Sequence, residues 1–165
     1  MASCIPIMGL VLSLAVIAGY ICATATDHWI EVPLVSTSAG LWRQCTNYAG
    51  VINMCSDLGD VPAYMHISRG CMIAACIVAL LAIILAIVGF IQEIGNTKIK
   101  IAGVLIILTA SAVATATIWY AIEKATYYDD LNLDYDFGYS IIIGWVSVPL
   151  AIVAGSMLLA TYSRH

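Results

Sequence analysis

Apolar residues along this chain fall into four long runs, 5–26, 70–91, 99–122 and 139–162, and the polar residues collect between them. A helix needs roughly 20 consecutive apolar residues to cross about 30 Å of hydrocarbon, and each run reaches that length. Apart from Lys100 at the edge of the third, none contains Asp, Glu, Lys, Arg or His. The pattern predicts four membrane-spanning helices in a single domain, 1–165, with both termini on one side. The connection 92–98 then lies on that side, and 27–69 and 123–138 form two loops on the other. Ala23-Thr24-Ala25 has the small residues of a signal-peptide cleavage site. The apolar stretch before it exceeds the usual length of about 7–15 residues and no Lys or Arg precedes it, so the first run is expected to be retained.

Composition agrees: 62% of residues are apolar and 10% charged, with a mean hydropathy of +0.99. Soluble domains carry about 45–50% apolar and about 25% charged residues, so the solvent for this chain is a bilayer. The same values exclude a disordered regulator. Six Lys and Arg against ten Asp and Glu leave no footprint for nucleic acid. Ionisable groups at membrane depth mark pumps and ion-coupled transporters, and their scarcity here argues against a transport path inside the monomer. Enzyme readings lack material: His28, His66 and His165 have no metal-ligand spacing, and there is no glycine-rich phosphate loop. The acidic stretch 127–136 lacks the ligand order of a Ca²⁺ loop. No catalytic, cofactor or metal site is expected.

Lys98, Lys100 and Arg164 on the terminal side balance Arg43, Arg69 and Lys124 on the loop side, so the positive-inside rule does not orient the chain. Cysteine does. Cys45 and Cys55 stand nine residues apart in a polar, glycine-containing stretch, which suits a disulfide on the oxidising side of the membrane. Two free thiols are the alternative. With the disulfide, the loops are extracellular and both termini cytoplasmic. Asp27, Glu31, Asp57, Asp60, Glu123, Asp129, Asp130, Asp134 and Asp136, nine of the ten acids, then face outward against three basic residues, a formal charge of −6. Such a face attracts cations within about 8 Å at physiological salt; a solvated rim is the plainer reading.

In the first loop Trp29, Ile30, Val32, Leu34 and Val35 precede Ala39-Gly40-Leu41-Trp42, and Tyr48 and Val51-Ile52 follow Cys45. Aromatic and β-branched residues broken by Pro33 and Gly40 predict short strands, with a turn at Gly50. Trp29 and Trp42 are expected near the membrane surface, where aromatic rings with one polar edge are favoured. A rigid sheet over a bundle is a recognition surface. Within the spans, Ala15/Gly19, Ala75/Ala79, Ala82/Ala86, Ala112/Ala116 and Ala151/Gly155 place small residues four apart, which permits close helix packing. Thr109, Ser111, Thr115 and Thr117 are expected to bond back to a helix, and Pro149 to kink the fourth span. Cys4 is a candidate for palmitoylation, an unmodified thiol being the alternative; Cys22, Cys71 and Cys76 read as small apolar residues.

Trp29, then Gly40-Leu41-Trp42, Cys45 and Cys55, after one span and before Arg69 at the next, resemble the signature of the claudin, peripheral myelin protein, epithelial membrane protein and lens fibre intrinsic membrane protein superfamily. The resemblance covers nearly the whole chain. Tyr127-Tyr128-Asp129-Asp130-Leu131, Tyr135-Asp136-Phe137-Gly138-Tyr139 and Gly144-Trp145 also look claudin-like. Three features depart from claudins: only twelve residues separate Trp29 from Trp42, Asp130 stands where many claudins have proline, and Tyr162-Ser163-Arg164-His165 shows no PDZ-binding motif.

The resemblance implies an all-α membrane protein, a left-handed four-helix bundle with a small disulfide-stapled extracellular antiparallel β-sheet. It implies a plasma-membrane protein of cell–cell junctions that assembles with related four-span proteins in cis and in trans. Its extracellular loops would mediate adhesion and a paracellular barrier or cation-favouring permeability. Arg43, Asp57 and Asp60 are the candidate charge-selectivity residues, and Tyr127, Tyr128, Asp129 and Asp130 the candidate trans contacts. Arg69 is expected to tether the underside of the sheet through backbone carbonyls or a carboxylate such as Asp27; an arginine reaching to the headgroups is the alternative. A lens- or myelin-type organiser of membrane apposition without a pore, and an auxiliary channel-modulating subunit, are the other functions the superfamily allows.

Overall fold

The computed structural model describes residues 4–48, 52–92 and 97–160. The expected turn at Gly50, most of the connection 92–98 and the terminal 161–165 lie outside the described residues. Among the described residues, four helices are long and apolar enough to cross a membrane: α1 (Cys4–Ala25), α2 (Ala63–Gln92), α3 (Thr97–Asp130) and α4 (Tyr139–Ala160). A helix satisfies its backbone groups internally, which a lipid environment requires. The helices form a ring in which α1 packs on α2, α2 on α3, α3 on α4 and α4 on α1. Across the ring, the Tyr20 hydroxyl on α1 meets Thr109 Oγ1 on α3 at 3.2 Å.

Small residues make the seams. Ala75, Ala79, Ala82 and Ala86 form a buried row on α2, and Ala151 and Gly155 are buried on α4. Ala15 is the exception and faces outward. Thr109, Ser111, Thr115 and Thr117 each donate to a carbonyl three or four residues earlier in α3, so their hydroxyls carry no unmet polarity into the apolar layer. The outer surface is apolar too: Ile7, Val11, Leu14, Ile77, Leu80 and Ile152 are about half exposed, as lipid-facing side chains are.

At one end sits a five-stranded antiparallel sheet in the order β4-β3-β2-β1-β5. Its strands are β1 (Ile30–Val32), β2 (Thr37–Ala39), β3 (Arg43–Tyr48), β4 (Ile52–Asp57) and β5 (Asp136–Phe137), with a 3-10 turn, Pro33–Val35, between β1 and β2. Only β1 falls on the β-branched stretch, at Ile30–Val32; Leu34 and Val35 lie in the 3-10 turn, Leu41 and Trp42 lie between strands, and β2, β3 and β4 are mostly polar. β5 comes from the second loop and pairs with β1, Ile30 with Phe137 and Glu31 with Asp136; two residues have no periodicity to read. Two boundaries also differ from the hydropathy windows. α2 starts at Ala63, seven residues before the apolar run, and α3 continues through Asp130, so 123–130 is helix and not loop. The first extension mixes polar residues with the buried Met65 and the second is polar; both continue a helix already nucleated by its apolar part.

Candidate functional site

The sheet is fastened to the bundle by closing the end of α1. The last carbonyls of a helix have no partner within it. Here Thr26 N–H donates to Cys22 O at 3.1 Å, Trp29 Nε1 to Ala23 O at 2.7 Å and Trp42 Nε1 to Thr24 O at 2.9 Å. Trp29 is therefore not an interfacial ring open to headgroups. It is fully buried, with its edge against Tyr120 of α3 at 4.8 Å. Tyr120, a polar ring inside an apolar run, also points its hydroxyl at Gly40 O, 3.5 Å away. Sequence reasoning passed over Tyr120; its position two residues before the end of the third run was the available signal.

Gly40 is required by this closure. A Cβ there would stand 2.5 Å from the backbone Cα of Asp27, a contact no rotamer relieves. Leu41 follows, fully buried, and its carbonyl accepts Arg69 Nε at 2.7 Å. The Arg69 guanidinium lies 4.9 Å from the centre of the Trp42 ring, a cation–π contact. Arg69 thus sits in the seventh residue of α2 and holds the sheet from below through a backbone carbonyl. Trp29, Gly40, Leu41, Trp42 and Arg69, scattered over 41 positions, form one joint.

On the sheet, Cys45 and Cys55 are disulfide-bonded and directly opposed in the β3–β4 register. Directly opposed residues share a face, so Glu31, Ser38, Cys45 and Cys55 form a row across four strands. That row borders a groove of about 540 Å³, also lined by His28 and Asn47. His28 Nδ1 lies 2.9 Å from Glu31 Oε1, and its ring stacks on Tyr139 with centroids 4.9 Å apart. The His28 carbonyl accepts the Ser140 N–H at 3.1 Å, and a Cβ on Gly138 would collide with the same oxygen.

The candidate charges fare unequally. The antiparallel register places Arg43 opposite Asp57, and Arg43 Nε bonds Asp57 Oδ1 at 2.9 Å. Two of the three expected selectivity residues thus compensate each other. Asp60 is exposed beyond β4. Of the candidate trans contacts, Tyr127, Asp129 and Asp130 are exposed on the last turn of α3, but Tyr128 is only 8% exposed. The reason is the ring of Tyr135, stacked 5.7 Å from it. Cys4 is exposed at the start of α1. Among the described residues no three His, Cys, Asp or Glu side chains form a group able to hold a metal ion.

A sequence model of the PMP-22/EMP/MP20/Claudin family matches residues 3–158. The chain belongs to this family. Human claudin-11 is 31% identical over 179 residues, covering 96% of this chain and 84% of the relative. Mouse claudin-11 is 30% identical over 178 residues, covering 95% and 84%. The rat lens fiber membrane intrinsic protein is 29% identical over 148 residues, covering 87% of this chain and 83% of its own. The four apolar helices and disulfide-stapled antiparallel sheet are the claudin-like fold.

Proposed function

We propose that this protein is a plasma-membrane component of cell–cell junctions, with the loops extracellular and both termini cytoplasmic, that joins related four-span proteins in cis and in trans. The observation that carries the reading is the sheet itself: five strands drawn from both loops, stapled by Cys45–Cys55 and fixed to the bundle at the Trp29–Trp42–Arg69 joint. A disulfide of this kind persists on the oxidising side of a membrane, which supports the orientation. A rigid surface standing over a membrane bundle presents groups to another molecule at little ordering cost. Family membership and the claudin-11 relatives support a barrier of tight-junction type, with the acidic outer face favouring cations over anions in any path the assembly leaves open.

The similarity to a lens fiber membrane intrinsic protein favours a second reading, an organiser of membrane apposition without a pore. Expression in an epithelial layer lacking endogenous claudins separates the two. The barrier reading expects strand networks on freeze-fracture, raised transepithelial resistance and a cation-directed NaCl dilution potential. Smooth apposed membranes with unchanged resistance and potential would replace it by the second.

A further inference from the structure

Where α1, α2 and α4 face outward they present bulky side chains, among them Ile7, Leu14, Leu80 and Ile152. One stretch of α3 differs. Ser111, Ala114 and Thr115 place short side chains there, one turn before Ile118 and Trp119, and together these residues line an open groove of about 630 Å³. Small-molecule sites enclose about 300–1,000 Å³. From Ser111 to Glu123, the residue at the far end of the lining, α3 rises about 18 Å, against about 30 Å for the whole hydrocarbon layer. The groove therefore runs through about one leaflet, the one on the side of the sheet. Its far end lies level with Tyr120, which points its hydroxyl at Gly40 O.

The hydrogen-bonding groups of the lining are nearly all committed. Ser111 Oγ donates to Leu108 O at 2.7 Å and Thr115 Oγ1 to Ser111 O at 2.8 Å. The Trp119 indole N–H donates to Glu123 Oε1 at 3.2 Å. No donor in the lining is left for a ligand. An acceptor is left, because a carboxylate has about four lone-pair sites and the indole takes one. An acid at the edge of a lipid-facing surface is costly, and Trp119 holds this one at the polar end of the groove.

These features select among the molecules a membrane offers. A phospholipid brings a phosphate, which the Glu123 carboxylate repels and for which the groove has no donor. A second copy packed α3 to α3 in the same membrane would bring two Glu123 side chains together at one depth, and like charges so placed repel. A sterol brings a rigid apolar body about one leaflet long and a single hydroxyl, a donor, at the membrane surface. We propose that the α3 groove is a sterol site, with the sterol hydroxyl donating to Glu123 and its rings lying over Ser111, Ala114 and Thr115 beside Trp119. The proposal does not depend on what the sheet meets.

The test uses the full chain in phosphatidylcholine nanodiscs, with a photoactivatable cholesterol as the probe. Cross-links mapped by mass spectrometry should fall between Ser111 and Glu123 and be displaced by excess cholesterol. Cholestane, which lacks the hydroxyl, should compete about tenfold less well, as the loss of one hydrogen bond to a charged group predicts. Glu123→Ala should raise the half-saturating sterol fraction by the same factor. Thr115→Phe, which fills the groove from an exposed position, should raise it at least as much, and Ile152→Phe on the outward face of α4 should leave it unchanged. Helical circular dichroism establishes that each variant has folded. Cross-links spread evenly over the four helices, or a saturation unmoved by both Glu123→Ala and Thr115→Phe, would overturn the proposal, as would equal competition by cholestane. So would a photoactivatable phosphatidylcholine that labels the same segment equally well, which makes the groove a general lipid surface. Sterol-independent disulfide formation between copies of Thr115→Cys, mapped to that position, would make it a contact between chains and overturn the proposal too.

Discussion

The indole N–H of Trp29 donates to the main-chain oxygen of Ala23 at 2.7 Å, so a residue of the sheet segment completes the hydrogen bonding of the helix that precedes it. Helix end and sheet are thereby one unit, with Trp42 closing the neighbouring carbonyl and Arg69 bracing Leu41 from α2. Trp29→Ala removes a fully buried ring and leaves Ala23 O without its donor. It should cost about 3–5 kcal/mol, as large-to-small core substitutions do. Trp29→Phe keeps a six-membered ring but loses the donor and part of the buried volume, and should cost less than Trp29→Ala, about 1–3 kcal/mol. Thermal unfolding in detergent, followed by near-UV circular dichroism, orders the three proteins.

Gly40→Ala places a methyl against the backbone of Asp27 and should destabilise by about 1–3 kcal/mol, the range for overpacking. Gly59 has open space where a Cβ would go, so Gly59→Ala should change stability by no more than about 0.5 kcal/mol and leave the melting temperature nearly unchanged. Equal behaviour of the two in detergent melting would contradict the close approach at Gly40.

Arg69→Lys keeps the charge and loses the planar group that reaches Leu41 O while lying over Trp42. Lysine lacks both the fork and the flat face, so the variant should expose the sheet to limited proteolysis while the helices remain protected. Wild-type protection in Arg69→Lys would show that charge alone makes the tether.

Much of this architecture is legible in the residues, and the rest hides for physical reasons. The four helices follow from runs of apolar residues that only a bilayer rewards. A sheet in the first loop follows from its β-branched residues at Ile30–Val32 and the disulfide from Cys45 and Cys55, but β2, β3 and β4 are mostly polar and leave little apolar pattern to read. The roles of Trp29 and Trp42 do not follow, because an indole at a membrane boundary satisfies the interfacial rule whether its N–H meets water or a helix end. The Arg43–Asp57 pair depends on the β3–β4 register, which no residue pattern specifies, and β5 is too short to leave a pattern. Tyr128 looks like a contact residue until α3 continues as helix and turns it onto Tyr135.

The exposed Arg43–Asp57 pair should contribute little to stability. A double-mutant cycle with Arg43→Ala and Asp57→Ala is expected to give a coupling of about 0.2–1 kcal/mol that shrinks in high salt. A salt-independent coupling of several kcal/mol would mean that the pair is shielded from water.

The central claim is that the stapled sheet is the surface by which one cell's protein meets another's. Its most direct test is contact enrichment between co-cultured cells expressing the full chain or Cys45→Ser. Loss of the disulfide should destabilise the sheet by about 2–4 kcal/mol while the four helices stay inserted, since their packing does not depend on it. Wild-type protein should concentrate where two expressing cells touch, and Cys45→Ser should reach the surface, keep its helical circular dichroism and spread evenly. Undiminished enrichment of Cys45→Ser at cell contacts, with its outer sheet open to protease, would contradict the claim.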